Sequence, residues 1–257
     1  MSLLAAGIHL HVAGFDLLSG IGMELLPGTV TAVVGPNGAG KSSLLRVLCG
    51  DLPATRGEVL LNSRPLGAWD AATRARMLAV LPQQSTLDFP FTAREVVSLA
   101  RVPHDTGAVR DREIVRAALE AVDASYLDKR YYTYMSGGEK QRVQLARVLA
   151  QIWEPAPEGD RVLLLDEPTS AFDLSHQQIT LDIVRRVASE GVAVLVVLHD
   201  LNLAARCADR MLVLSCGGLA ADGPPADVLD EALVERVFGL RCKVMPHPLT
   251  GGPMVVH

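Results

Sequence analysis

The sequence predicts a doubly wound α/β protein, with a mostly parallel sheet and helices on both of its faces. Short β-branched apolar runs recur along the chain, at Thr29–Gly35, Met77–Gln83, Arg161–Glu167, Val192–Asp200 and Arg210–Gly218. Several are apolar throughout rather than alternating, the pattern of strands buried on both faces. Helical patterns separate them: KSSLLRVLCG, TAREVVSLARV, YMSGGEKQRVQLARVLAQIW and SHQQITLDIVRRVASEG. The alternation fails only from about Thr92 to Ala150, where helices follow one another without a convincing strand, so a helical insertion is expected there.

Within that insertion Thr92 and Glu95 have capping-box spacing, which predicts a helix start at Thr92; Ser136 and Glu139 repeat it. The segment EPAPEGD, Glu154–Asp160, reads as a Pro- and acid-rich loop that returns the chain to the sheet. The chain is expected to be one domain, with 1–91 and 155–257 as the α/β core and 92–154 as a helical subdomain.

Composition narrows the function. With 257 residues, 49% of them hydrophobic, there is chain enough for a sizeable core. A formal charge of −5 argues against a general grip on nucleic acid, which needs a strongly basic surface. Cys49, Cys207, Cys216 and Cys242 are scattered without a CxxC pair, so neither a zinc site nor a disulfide framework is expected. The opening MSLLAAGIHLHV lacks the basic and long apolar segments of a secretory leader. The most apolar run, Val192–Leu198, is far shorter than the roughly 18 residues a membrane span requires. Service to a membrane would therefore go through a partner.

GPNGAGKSS, Gly35–Ser43, fits G-x-x-x-x-G-K-[ST] between an apolar strand and a helix. Gly35, Pro36, Asn37, Gly38, Ala39, Gly40, Lys41, Ser42 and Ser43 are thus candidate phosphate binders. Glycines let successive N–H groups point inward at phosphate oxygens, and the helix N-terminus adds its positive dipole end. Lys41 is expected to reach the β and γ phosphates, and the Ser42 hydroxyl to bind Mg²⁺. A second apolar strand ends in Asp166 and Glu167. Asp166 is placed to hold Mg²⁺, and Glu167 to orient and deprotonate an attacking water.

Transition-state donors of the arginine-finger type contribute about 10³ to 10⁵ in rate, or about 4–7 kcal/mol. One helix terminus is worth roughly 0.3–2 kcal/mol, so several directed donors are needed. The Ser136–Glu139 helix start is a second anion-binding geometry, yet its turn holds no phosphate-grasping lysine.

GPNGAGKSS, LPQQ, YMSGGEKQRVQLARVLA, LLLDEPTSAFD and VLHD stand in the order and approximate spacing of the ATP-binding cassette (ABC) ATPases, which the chain resembles over nearly its whole length. The resemblance implies ATP and Mg²⁺ as ligands and an N-terminal antiparallel β part. It implies that Gln83 senses Mg²⁺ and the permease, with Gln84 the lesser candidate, and that the switch histidine His199 contacts the γ-phosphate. Ser136, Gly137, Gly138 and Glu139 correspond to the signature and Asp173 to the D-loop aspartate. It further implies a head-to-tail homodimer, in which each signature closes over ATP held by the other copy. Such ATPases usually stack an aromatic ring on adenine; the matching position here is Val12, with His11 and Phe15 nearby.

VLPQQSTLDFPFTAREVVSLARVPH, VLHDLNLAARCADR and the longer IWEPAPEGDR loop look like the bacterial haem importer ATPases, relatives of the siderophore and vitamin B12 uptake subunits. That resemblance implies a peripheral subunit on the cytoplasmic face of the inner membrane, bound to two transmembrane permease subunits and acting indirectly with a periplasmic binding protein. The Gln83–Phe91 region would pass motion to the permease, and no residue here would touch the transported substrate. His9, His11, His104, His176, His247 and His257 lack ligand-like spacing and are read as exposed or packing residues. A ferric-siderophore or B12 importer is the neighbouring alternative. A soluble ABC ATPase of DNA repair or ribosomes predicts coiled coils, paired cassettes or basic extensions; a small-molecule kinase leaves SGGE and His199 without a role.

Overall fold

The computed structural model describes residues 1–83, 87, 89–170 and 172–257; Gln84 and parts of the Gln83–Phe91 segment lie outside them. The chain opens with an antiparallel hairpin, β1 (Leu3–Val12) and β2 (Phe15–Leu25), whose two-residue turn places Ala13 and Gly14 at φ 51° and 87°. Positive φ at both positions matches the right-handed twist of hairpin strands. β3 (Val30–Val34), buried at every residue, leads into α1 (Lys41–Leu48). β4 (Arg56–Leu61) and β5 (Arg64–Pro65) then return to the hairpin, giving a small sheet of order β2-β1-β4-β5.

After α2 (Ala71–Met77) and β6 (Leu78–Leu81), the chain runs through α3 (Ala93–Ser98), α4 (Ala108–Ala121) and α5 (Gly137–Gln151) with no named strand between them. These helices pack together through Val96, Val97, Ile114, Ala118, Leu145 and Leu149. It then re-enters the sheet as β7 (Val162–Asp166), α6 (Leu174–Ser189), β8 (Ala193–Val197), α7 (Leu201–Cys207), β9 (Arg210–Ser215) and β10 (Gly218–Gly223). The large sheet has the order β10-β9-β3-β8-β7-β6, parallel except for β10. β7 shows why its sequence does not alternate: Leu163 and Leu165 face the core shared with the helices, while Val162 and Leu164 face the core shared with α1 and the N-terminal sheet.

Two features exceed the sequence expectation. The Glu154–Asp160 loop is an anchor as well as a return: Glu154 pairs with Arg101 (3.3 Å) and Arg110 (2.9 Å), Glu158 pairs with Arg76, and Asp160 exchanges 3.1 Å backbone hydrogen bonds with the Asn62 amide. It thereby ties the helical segment to α2 and the β4–β5 turn. The chain ends in α8 (Pro225–Val228), α9 (Glu231–Phe238) and a hairpin, β11 (Lys243–Pro246) with β12 (Pro253–Val256). Asn202 on α7 clamps that hairpin, accepting from Val255 N–H at 2.7 Å and donating to Val255 C=O at 3.0 Å.

Candidate active site

The C-terminal ends of β3, β8 and β7 lie side by side, and the loops leaving them form one site, as the crevice rule for open α/β sheets expects. Gly35–Gly40 leaves β3 and wraps into the first turn of α1. Gly40 caps that helix at φ 101°, and a Cβ there would sit 2.7 Å from Leu17 O, so only glycine fits. Gly35 is equally constrained, since a Cβ would lie 2.3 Å from Leu214 O.

Lys41 is buried, with its ammonium folded onto the loop, donating to Gly35 O at 2.8 Å and Pro36 O at 3.0 Å. Burial pulls its pKa down, opposed by the negative charges of Glu167 and Asp166. Asn37, Gly38 and Gly40–Ser43 face Gln83, Glu167 and His199 across a cleft of about 450 Å³.

Glu167, at the end of β7, is buried and left-handed, with φ 50°. That backbone costs of order 1–3 kcal/mol in a non-glycine residue. It is pinned by Glu167 N–H donating to Val197 O (3.1 Å) and by the Ser170 hydroxyl donating to Glu167 C=O (3.1 Å). The strain turns the side chain into the cleft, where one carboxylate oxygen accepts from Gln83 Nε2 (2.8 Å) and the other meets His199 Nε2. Gln83 and His199, picked from separate motifs, thus converge on the carboxylate of Glu167, picked from a third.

Asp166 lies beneath them, 4% exposed. Burial raises its pKa and the neighbouring Glu167 charge adds to the rise, while a hydrogen bond with Ser42 and the charges of Lys41 and His199 oppose it. Its Oδ1 is buried without a hydrogen-bond partner among the described residues. A buried, unpartnered carboxylate oxygen beside a hydroxyl is a hard-oxygen donor set that suits Mg²⁺.

The signature residues and Asp173 are not among those lining this cleft. Ser136 caps α5 in a complete capping box: its hydroxyl accepts from Glu139 N–H (3.3 Å), and Glu139 accepts from Ser136 N–H (2.8 Å). That hydrogen bond leads the effects holding the Glu139 carboxyl below its usual range. Gly137 and Gly138 N–H, the first two of the helix, have no acceptor among the described residues, and a Cβ on Gly137 would meet nothing within 4 Å. Asp173 caps α6, accepting from His176 N–H at 2.9 Å.

Leu17, which lines the cleft, and Ser170 were missed in the sequence. The only hint of Leu17 was the apolar pair Leu17–Leu18, of which one member alone can face the core. Val12 and Phe15 are opposite each other in the hairpin, 44% and 71% exposed, while His11 is paired with Asp16 at 2.8 Å. Of the remaining histidines, His104 meets Gln151 O (2.8 Å) and His247 accepts from the N–H groups of Leu249 and Thr250.

Residues 18–170 match the ABC transporter family. The chain is 54% identical to the hemin import ATP-binding protein HmuV of Pseudomonas fluorescens, over 97% of both chains. It is 52% identical to the HmuV protein of Gloeobacter violaceus, over 99% of this chain and 93% of that one. Among solved structures, a metal-chelate type ABC transporter in an inward-facing conformation superposes with TM-score 0.81 at 25% identity, over 99% of this chain and 96% of the other. With the P-loop, the strand-end carboxylates and the signature helix all in place, the chain belongs to the ABC transporter family.

Proposed function

We propose that this chain is the ATP-hydrolysing subunit of a bacterial hemin importer, working as a pair of identical copies on two permease subunits. One observation carries the reading: the chain holds two half-sites that do not meet within it. The P-loop cleft has a lysine, a strand-end carboxylate pair and a switch histidine, whereas the α5 terminus has N–H donors without acceptors among the described residues and does not line that cleft. Two copies arranged head to tail join each cleft to the other copy's α5 terminus, supplying the several donors the γ-phosphoryl group needs.

In this reading the N–H groups of Gly35–Ser43 and the Lys41 ammonium bind the phosphates of ATP, Lys41 exchanging the Gly35 and Pro36 carbonyls for phosphate oxygens. Ser42, Asp166 and Gln83 are the residues that would hold Mg²⁺; when bound, it neutralises charge on the phosphate oxygens. Glu167 accepts a proton from the attacking water, and Gln83 and His199, which hold its two oxygens, orient it. His199 also contacts the γ-phosphate. Ser136–Glu139 and Asp173 act on the other copy's nucleotide. The Gln83–Phe91 region passes the closure of the two copies to the permease. Among the described residues no helix is long and apolar enough to cross a membrane; in this reading the subunit sits peripherally on the cytoplasmic face of the inner membrane, held by the permease. A periplasmic binding protein acts upstream without touching this chain, and neither nucleic acid nor the transported substrate does.

Hemin is proposed from the HmuV relatives, which share about half of all residues over nearly full length. A ferric-siderophore or vitamin B12 cargo, the neighbouring alternative in the sequence resemblance, is the second reading; the metal-chelate type transporter among the structural neighbours fits it and hemin alike. Reconstitution with a candidate permease in vesicles decides between them. ATP-dependent hemin accumulation that disappears with Glu167→Gln supports the proposal; uptake of a ferric siderophore or B12 but not hemin overturns the cargo. ATPase activity stimulated by nucleic acid and indifferent to the permease overturns the importer reading altogether.

A further inference from the structure

His176, an exposed or packing residue by sequence, joins two segments of the fold. Its Nε2 lies 3.2 Å from Arg142 Nη1 and its Nδ1 lies 2.8 Å from Asp173 Oδ1. A guanidinium can only donate, so Nε2 carries the lone pair and Nδ1 the proton. The bridge therefore runs from Arg142 N–H to His176 Nε2, and from His176 Nδ1–H to the Asp173 carboxylate. An imidazolium would turn a donor against the guanidinium, so only the neutral Nδ1–H tautomer satisfies both ends.

Both ends are fixed independently. Arg142, on α5, also donates to Asp123 O (2.9 Å) and to the Tyr126 hydroxyl (2.6 Å). Asp173 Oδ1 also receives the Ser175 hydroxyl (2.8 Å) and His176 N–H (2.9 Å), while Oδ2 has no hydrogen-bond partner among the described residues. The three donors hold the Asp173 carboxyl down at about 2. The Phe172 ring packs beside the imidazole, with centroids 6.0 Å apart.

We infer that His176 is a positioning residue: as the Nδ1–H tautomer it ties Asp173 to α5, so that the aspartate and the α5 N-terminus reach the other copy's nucleotide as one body. The inference rests on the proposed two-copy site. It assigns a role to neither phosphate contact nor proton transfer. What the bridge sets is the relative placement of two groups on different helices, with Asp173 Oδ2 left free to meet the partner copy.

The test compares Mg²⁺-dependent ATPase kinetics of the full-length wild type with His176→Leu, His176→Asn and His176→Gln, and with Lys41→Ala as the inactive control. Asn keeps a donor near the Nδ1 position and Gln an acceptor near Nε2, so each retains one half of the bridge. The expected result is a fall of about tenfold in kcat for His176→Leu, the size of one charge-assisted hydrogen bond, with smaller falls for Asn and Gln. KM for ATP stays within about twofold, because nucleotide is held by each copy's own P-loop. Arg142→Gln combined with His176→Leu is no slower than the slower single variant, the non-additivity of a shared interaction. Imidazole ¹⁵N NMR of the wild type places the His176 proton on Nδ1. Wild-type kcat in His176→Leu, fully multiplicative losses in the double variant, or a proton on Nε2 overturns the inference. If the wild type itself hydrolyses no ATP, the proposed function fails first; a wild type that turns over, a dead Lys41→Ala and an unaffected His176→Leu sink this inference alone.

Discussion

Two helices of the same segment begin with the same capping box, and their surroundings differ. At α3, Thr92 and Glu95 exchange hydrogen bonds, and the next two N–H groups are taken: Ala93 donates to Arg130 O (3.0 Å) and Arg94 to Asp128 O (3.1 Å). At α5, Ser136 and Glu139 make the same exchange, but the next two residues are glycines whose N–H groups have no acceptor among the described residues. A helix end closed by its own chain is architecture. One left open, with no side chain over Gly137, has room and donors for the anion contact proposed above. The contrast is why the fold is read as half of an assembly.

The largest effects belong to the cleft that must be filled. Lys41→Ala removes the ammonium proposed to bind the phosphates, and nucleotide binding in an equilibrium titration should fall to background. Glu167→Gln keeps the side chain's shape and one of its two accepting oxygens, so ATP should still bind while turnover falls about 10²–10³-fold, the range seen when a positioned catalytic group is lost. ATP-stabilised dimers should then accumulate on a sizing column. Wild-type turnover in that variant would remove Glu167 as the base.

The two caps should separate next. Ser136→Arg should lower turnover by at least about tenfold without weakening nucleotide binding to its own copy, since it blocks donors offered to the partner. Thr92→Ala should cost about 1 kcal/mol of stability, typical of a lost N-cap, and leave kcat unchanged. Denaturant melts and ATPase rates measured together check both; equal kinetic effects at the two caps would erase the distinction.

Smaller effects follow from the carboxyls. Asp166 has a raised pKa, so its contribution to stability is present at low pH and lost as pH rises through the folded-state value. In the absence of nucleotide and Mg²⁺, Asp166→Asn should therefore melt higher than the wild type at pH 8, with the gap closing on acidification, while Mg²⁺-dependent turnover is lost. Asp173 has the opposite sign. Its carboxyl is held down at about 2, so its contribution is present above the usual 3.8 and lost as pH falls toward 2. Asp173→Asn should melt lower than the wild type at pH 7, with that difference shrinking between about pH 4 and pH 2.

How much of this was legible in the sequence follows from the range of each interaction. The P-loop, both capping boxes and the five core strands are local patterns, set by residues within a few positions of one another, and each was read from the chain directly. The convergence of Gln83, Glu167 and His199 came from motif order, because no local rule brings residues 83, 167 and 199 to one carboxylate. The Glu154–Asp160 anchor and the Asn202 clamp were invisible, since their partners lie 44 to 98 residues away or bond through backbone atoms that carry no sequence signal. The left-handed Glu167 was also unreadable: strain of that kind is imposed by the neighbouring strand and Ser170, not by glutamate's own preference.

The central claim is that one copy's α5 terminus completes the other copy's cleft, and mixing two dead variants tests it most directly. Ser136→Arg spoils only the donor half and Lys41→Ala only the cleft half, so a mixed pair retains one intact composite site. The account predicts that each variant alone has little or no turnover and that an equimolar mixture recovers up to about a quarter of the wild-type rate, half of randomly paired dimers being mixed and each keeping one of its two sites. A mixture as inactive as its components would contradict it.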